Sequence, residues 1–372
     1  MTESAVIPGV IEGQTEPDCL EGFSHPRFQT ELFGHSRAEQ ELMTAASSNR
    51  LHHAWLLTGP AGVGKATLAY RFARHLLLPV GGDGGGDNKG RVAAQIGALS
   101  HPHLLVLRRP WQEKTKRLAT EITIGEVRRL RAFFAKTAGD GEWRVVIVDR
   151  ADELNASAAN ALLKNLEEPP VRCVFLLVCS VPGRLPVTVR SRCRMLKFSP
   201  LGSDDLGAAV RSAYGLSGQP EPDKASIDIC IPLAQGSVSR ALRLLDGGGS
   251  DLHGRFLKLI SGLPHLDHVA VHGLADELAG VRGASAYELF FELVGESVAR
   301  IVSHGATGQG ATGVEADMAG KLDSPAALAK FAGLWETIRR AKADADALNL
   351  DRKNLVLGTF FKLEETARDA FA

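Results

Sequence analysis

The chain has no excess of charge of either sign, since 43 Lys and Arg offset 43 Asp and Glu among its 372 residues. That excludes a global positive field able to hold nucleic acid avidly and alone, so any such contact must come from local patches. Cysteine is scarce too: Cys19, Cys173, Cys179, Cys193 and Cys230 form no C-x-x-C pair. Their scatter excludes a disulfide framework and fits reduced thiols of a cytosolic protein. No uncharged apolar run is long enough to span a bilayer, and residues 1–26 lack a charged segment followed by an apolar one. The expectation is a cytoplasmic protein of two or three domains with no membrane partner.

A hydroxyl is missing where the sequence most needs one. Gly59-Pro60-Ala61-Gly62-Val63-Gly64-Lys65-Ala66-Thr67 is a P-loop, preceded by a strand-like run over 53–58 and followed by a helical pattern over 65–78. Strand, glycine loop and helix in that order make the motif specific. In such a loop the backbone N–H groups cradle phosphates, the lysine neutralises them, and the next Ser or Thr ligates Mg²⁺. Here that residue is Ala66, which ligates nothing. Thr67 lies about 100° further round the helix and points away from the metal position. Gly59, Gly62, Gly64, Lys65 and Thr67 therefore leave ATP or ADP a place to bind, Mg²⁺ stays open, and hydrolysis is not expected.

Residues 1–25 mix Pro, Gly and acidic residues without periodicity and read as a flexible extension. Between 26 and 200, short apolar runs at 104–107, 145–148 and 174–178 alternate with helical patterns near 124–138 and 156–166. Continuous apolar runs of this length predict parallel strands covered on both faces. The Gly- and Asp-rich stretch 80–89 reads as a flexible insertion. Residues 201–249 carry helical patterns at 204–214 and 227–245 that end in the Gly247-Gly248-Gly249 linker. Residues 250–372 show long helical patterns near 287–304, 326–348 and 354–371, broken by a glycine-rich loop at 305–313. The expected fold class is α/β plus all-α: a nucleotide-binding-like α/β domain (26–200), a small helical lid (201–249) and a C-terminal helical domain (250–372).

The run 145–148 ends in Asp149, where a P-loop protein places the carboxylate that supports Mg²⁺. Arg150 follows, and a cation cannot act as the base that polarises an attacking water. Asp152 and Glu153 are close but begin the next segment, and would need a different backbone path to substitute. Downstream, Ala161-Leu162-Leu163-Lys164-Asn165-Leu166-Glu167-Glu168-Pro169-Pro170 is a helix with an acidic end stopped by two prolines. Ser191-Arg192-Cys193 follows a core strand, and an arginine on such a turn is placed for presentation to phosphates of a neighbouring subunit.

Between Asp149 and Cys193 the chain resembles the bacterial DNA polymerase III clamp-loader subunits of the AAA+ class, whose pattern is ALLKTLEEPP, a strand, then SRC. The resemblance extends to Leu32-Phe33-Gly34-His35, to Gly236-Ser237-Val238-Ser239-Arg240-Ala241 and to Asn349-Leu350-Asp351-Arg352-Lys353. It thus covers nearly everything after residue 25. Within the family the chain is most similar to the delta-prime, or stator, type, because Ala66 and Arg150 stand where the gamma and tau motors keep a hydroxyl and a glutamate.

The resemblance implies that Arg192 is an arginine finger reaching a neighbour's ATP site, that Ser180 stands near a sensor position, and that Arg240 matches the region of the lid's second sensor. It implies gamma/tau and delta subunits as partners in a hetero-oligomer joined through a helical collar, with sliding clamp and primed DNA reached through the assembly. Members usually carry a four-cysteine zinc module after the P-loop helix; here 81–95 and then Ala98-Leu99-Ser100-His101-Pro102-His103 occupy the place, so no zinc is expected. The function implied is a stator within a DNA polymerase holoenzyme, not itself catalytic. A gamma/tau-type motor is the alternative; a P-loop kinase or other transferase is a more distant one, since no further catalytic base is evident.

Overall fold

The apolar runs become the centre of a sheet. In the computed structural model, which describes residues 16, 19–48, 50–78, 86–115, 117–135, 142–246, 248–280, 284–348 and 350–371, the strands are β1 (Ala54–Thr58), β2 (Leu104–Leu107), β3 (Trp111–Gln112), β4 (Arg117–Leu118), β5 (Arg144–Val148), β6 (Cys173–Cys179) and β7 (Arg194–Lys197). Five of them form a parallel sheet in the order β2-β5-β6-β1-β7, while β3 and β4 pair antiparallel beside it. Parallel neighbours need crossovers, and helices supply them. In register, Thr58 pairs with Cys179 and Val148 with Leu177. The residues after β1, β5 and β6 therefore emerge on one edge, the carboxyl edge where ligands of α/β sheets sit.

Alternation within each strand sends side chains to two buried layers. Trp55, Leu57, Val145, Ile147 and Leu176 face Leu68, Phe72 and Ala73 on one side, whereas Leu56, Val146, Val148, Phe175 and Leu177 face Leu130 and Leu162 on the other. The helices up to residue 246 are α1 (Ser36–Ser47), α2 (Lys65–Leu77), α3 (Gly86–Gly97), α4 (Ile124–Ala135), α5 (Ala156–Glu167), α6 (Val187–Arg190), α7 (Ser203–Leu216), α8 (Lys224–Ala234) and α9 (Val238–Asp246). Asn155 caps α5 by accepting from the Ala158 amide at 2.9 Å, and Pro169 closes off its other end.

The chain divides into two compact units, Met1–Leu242 and Arg243–Ala372. In the second the described residues form helices only: α10 (Gly249–Ser261), α11 (His268–Ala279), α12 (Ala284–Thr307), α13 (Val314–Gly320), α14 (Pro325–Leu348) and α15 (Arg352–Ala370). Its core gathers Phe256, Phe290 and Phe360, with ring centroids 5.7 to 6.1 Å apart. Beside it Arg300 donates to both oxygens of the buried Glu315 at 2.7 Å. Burial alone would raise that carboxyl, but hydrogen bonds from Arg300, His253 and Ser297 override it and hold the group down to about 2.

Four expectations are corrected. Part of the segment before residue 26 is packed: Phe23 is buried edge-on against Tyr214, the Ser24 amide donates to Ser217 Oγ at 2.9 Å, and Glu16 receives both ends of the Arg27 guanidinium at 2.6 and 3.0 Å. Residues 1–15 lie outside the described ones. The stretch read as a flexible insertion enters α3 at Gly86, and 79–85 also fall outside the described residues. The single helical pattern over 227–245 is two helices, parted by left-handed Gln235 and Gly236 with φ of 49° and 75°. Gly248 and Gly249 are the cap and first residue of α10 rather than an open linker, while Gly247 is outside the described set.

Candidate functional site

The P-loop joins β1 to α2 at the carboxyl edge. Gly59 has φ 150°, and a side chain there would collide with the Phe198 carbonyl. Gly62 has φ 74°, and a Cβ on it would overlap the hydroxyls of Ser237 and Ser239. Those serines belong to the turn that starts α9. The Ser237 hydroxyl donates to the Ala61 carbonyl at 2.8 Å, and the Val238 amide donates to the Gly62 carbonyl at 2.8 Å. The loop is braced from its other flank by His35, whose Nε2 lies 2.9 Å from the Val63 carbonyl and whose ring packs against Phe198. Burial chiefly lowers the His35 pKa, and the bond to Val63 partly offsets this.

Lys65 is buried, and its ammonium turns back onto the loop. Nζ donates to the Gly59 carbonyl at 2.7 Å, to the Pro60 carbonyl, and to Ser180 Oγ at 3.1 Å. Burial lowers its pKa to about 8, against the pull of Asp152, Cys179 and Asp149 and with the push of Arg150. Ser180 stands directly after β6, so the expected sensor residue and the P-loop lysine do meet. Gly64, in left-handed backbone at φ 102°, caps α2. Thr67 is half-buried in the first turn of α2, and Ala66 packs against the sheet core. Asp149 is buried at the end of β5. With Ala66 in place of a hydroxyl, the donor set does not fit a Mg²⁺ site of the usual P-loop kind.

Asp152 is nearer the chemistry than its place in the sequence suggests. Arg150 takes a left-handed conformation, φ 57°, which turns the chain so that buried Asp152 Oδ1 accepts the Ser180 amide at 3.0 Å. The backbone path that the sequence reading lacked is this turn. Burial and the neighbouring Asp152 carboxylate push the Cys179 thiol up to about 12. Glu153 goes the other way, bridging Arg150 at 2.9 Å and Arg109 at 2.8 Å. Arg240 is half-buried near the start of α9, its amide 3.4 Å from Ser237 Oγ.

Arg192 follows α6, and both ends of its guanidinium are held. Nη2 pairs with Glu167 Oε1 at 2.6 Å and Nη1 donates to the Thr188 carbonyl at 2.8 Å. Of the nearby arginines, Arg184 is exposed and Arg190 half-buried. Arg194 binds Glu41 at 2.7 Å and lies over the Trp55 ring. His103 approaches Glu142 at 3.3 Å and meets His101 edge-on. Among the described residues no group of three or more His, Cys, Asp or Glu is arranged to hold a metal, and no helix is long and apolar enough to cross a membrane.

Residues 34–202, which hold the P-loop, Asp149, Ser180 and Arg192, match the family model described as DNA polymerase III, delta subunit. Over that span the chain is similar to the DNA polymerase III delta-subunit family. The clamp-loader resemblance carried by the residues between Asp149 and Cys193 is thereby borne out. Among curated relatives, the DNA polymerase III subunit delta' of Pseudomonas aeruginosa is 34% identical over 207 residues, 55% of this chain and 60% of its own length. The subunit gamma of Buchnera aphidicola is 27% identical, covering 59% of this chain and 58% of that protein. The subunit tau of Bacillus subtilis is also 27% identical, covering 60% and 38% respectively. The chain thus spans at most 60% of the length of these clamp-loader relatives. Among solved structures, a gamma subunit-related protein of Thermotoga maritima is 16% identical with a TM-score of 0.45, covering 89% of this chain and 100% of that one. The branch migration motor RuvB of Thermotoga maritima is 20% identical with a TM-score of 0.39, covering 60% and 65%.

Proposed function

We propose that this chain is the delta-prime, or stator, subunit of a DNA polymerase III clamp loader, which assembles with gamma/tau motors and a delta subunit in the cytoplasm and hydrolyses ATP poorly or not at all. The observation that carries this reading is the pair of altered positions at the nucleotide edge: Ala66 stands where the Mg²⁺ hydroxyl would be, and Arg150, paired with Glu153 at 2.9 Å, stands where the polarising carboxylate would be. The 201–249 region acts as a lid whose serines close over the loop, and 250–372 as the collar that joins neighbours. Arg192 serves a neighbour's ATP, where a guanidinium stabilises charge on the transferring phosphoryl group. Neutral overall charge fits a subunit that meets clamp and primed DNA through the complex.

One observation favours the motor reading instead. Asp152 is buried beside Lys65 and Ser180, so a displaced carboxylate does exist. It is already bound to the Ser180 amide, however, and the Mg²⁺ hydroxyl is still lacking. The purified chain should show no ATPase above background with or without primed DNA, and should enter a stable complex with the motor and delta subunits by size exclusion. Turnover by the chain alone, abolished in Asp152→Asn, would establish a motor.

A further inference from the structure

We propose that Glu167 is a positioning residue for Arg192: it clasps the guanidinium in the free subunit and yields one edge of it to phosphate when a neighbour docks. This rests on the reading of Arg192 as a group acting in trans. Glu167 is the last residue of α5 and sits at the negative end of the helix dipole, where a carboxylate weakens the helix. Its partner is thus better sought outside the helix than in it, and Arg192 is 2.6 Å away. Pro169 fixes where α5 stops, so the carboxylate is offered from a set position.

The two terminal nitrogens of Arg192 have different holders. Nη1 is tied to the Thr188 carbonyl of α6, a neutral backbone anchor, and Nη2 to the charged Glu167. A phosphate can replace the carboxylate on Nη2 while the Thr188 bond keeps the guanidinium on its turn. The exchange is cheap because the pair is open to solvent, with side chains 35% and 50% exposed, and exposed ion pairs are weak. A phosphate offers more charge to the same planar fork. Close to the pair in sequence, Val171 after the prolines and Val187 on α6 are 90% and 67% exposed, as befits residues that another subunit covers. The clasp therefore orients the arginine before docking, which reduces what must be ordered at the moment of reaction.

The test is steady-state ATPase of the reconstituted loader on primed DNA, at equal assembly, with Glu167→Gln, Glu167→Asp, Arg192→Ala and the Glu167→Gln/Arg192→Ala pair, and Glu168→Gln as the neighbouring control. Expected are a roughly three- to tenfold fall in kcat for Glu167→Gln with KM for ATP unchanged, partial recovery in Glu167→Asp, and no loss in Glu168→Gln. In the Arg192→Ala background Glu167→Gln should add nothing. Full activity of Glu167→Gln while Arg192→Ala is impaired would overturn the clasp and leave the stator reading standing. An equal fall from Glu167→Gln with or without Arg192, or from Glu168→Gln, would mean that Glu167 acts structurally. If Arg192→Ala itself changed nothing, the trans-acting reading beneath the proposal would fail.

Discussion

Lys65 donates to the hydroxyl of Ser180 across 3.1 Å, joining the start of α2 to the end of β6 through the one side chain that a P-loop reserves for phosphate. The same ammonium holds the carbonyls of Gly59 and Pro60, and the Ser237 hydroxyl donates to the Ala61 carbonyl of the loop. A phosphate that engages Lys65 must take the ammonium from these acceptors.

With Ala66 in place of the hydroxyl that shares Mg²⁺ with the phosphates, nucleotide should bind weakly. A ligand at ten times its Kd stabilises by about 1.4 kcal/mol, which for a chain of this size is a melting shift of about 2 °C. A millimolar non-hydrolysable ATP analogue with Mg²⁺ should raise Tm by less than about 1 °C in a thermal melt. A shift of about 2 °C or more would show that nucleotide binds well despite Ala66.

The buried ammonium gives stability a dependence on pH. Lys65 has its folded pKa lowered from 10.5 to about 8 by burial, so between those values the unfolded chain binds the extra proton and stability rises with pH. The full effect is at most about 3 kcal/mol. Urea midpoints of the wild type relative to Lys65→Met should climb from pH 8 to pH 10. A flat or falling difference would mean that Lys65 is not desolvated.

The second unit should respond to acid in the same sense but in a lower window of pH. Glu315 is lowered from 4.5 to about 2 by its hydrogen bonds, so its contribution is complete above about pH 4.5 and is lost as pH falls toward 2. Glu315→Gln leaves Arg300 without its bidentate partner and should cost about 3–5 kcal/mol near neutrality. The gap between variant and wild type in denaturant melts should narrow at pH 3. A gap independent of pH would place the cost in packing instead.

What the sequence made legible follows from how local each signal is. The runs around Leu56, Ile147 and Leu176 are buried on both faces, so continuous hydrophobicity identified β1, β5 and β6 without knowledge of their neighbours. β7 escaped because it is an edge strand in which only Leu196 is buried, between exposed Met195 and Lys197. Asp152 was misplaced because its position depends on a left-handed arginine, a conformation that residue type does not announce. The pairing of Glu16 with Arg27 joins a chain start without periodicity to a buried arginine, and that of Glu167 with Arg192 spans a strand and two turns. Such tertiary ion pairs leave no mark on local patterning.

The most direct measurement compares DNA-stimulated ATPase of the reconstituted loader containing wild-type chain with that containing Arg192→Ala, at equal assembly. A finger acting on a neighbour's phosphate predicts a fall of at least about tenfold in kcat with the complex intact. Unchanged turnover would contradict a trans-acting arginine and reduce Arg192 to a surface partner of Glu167.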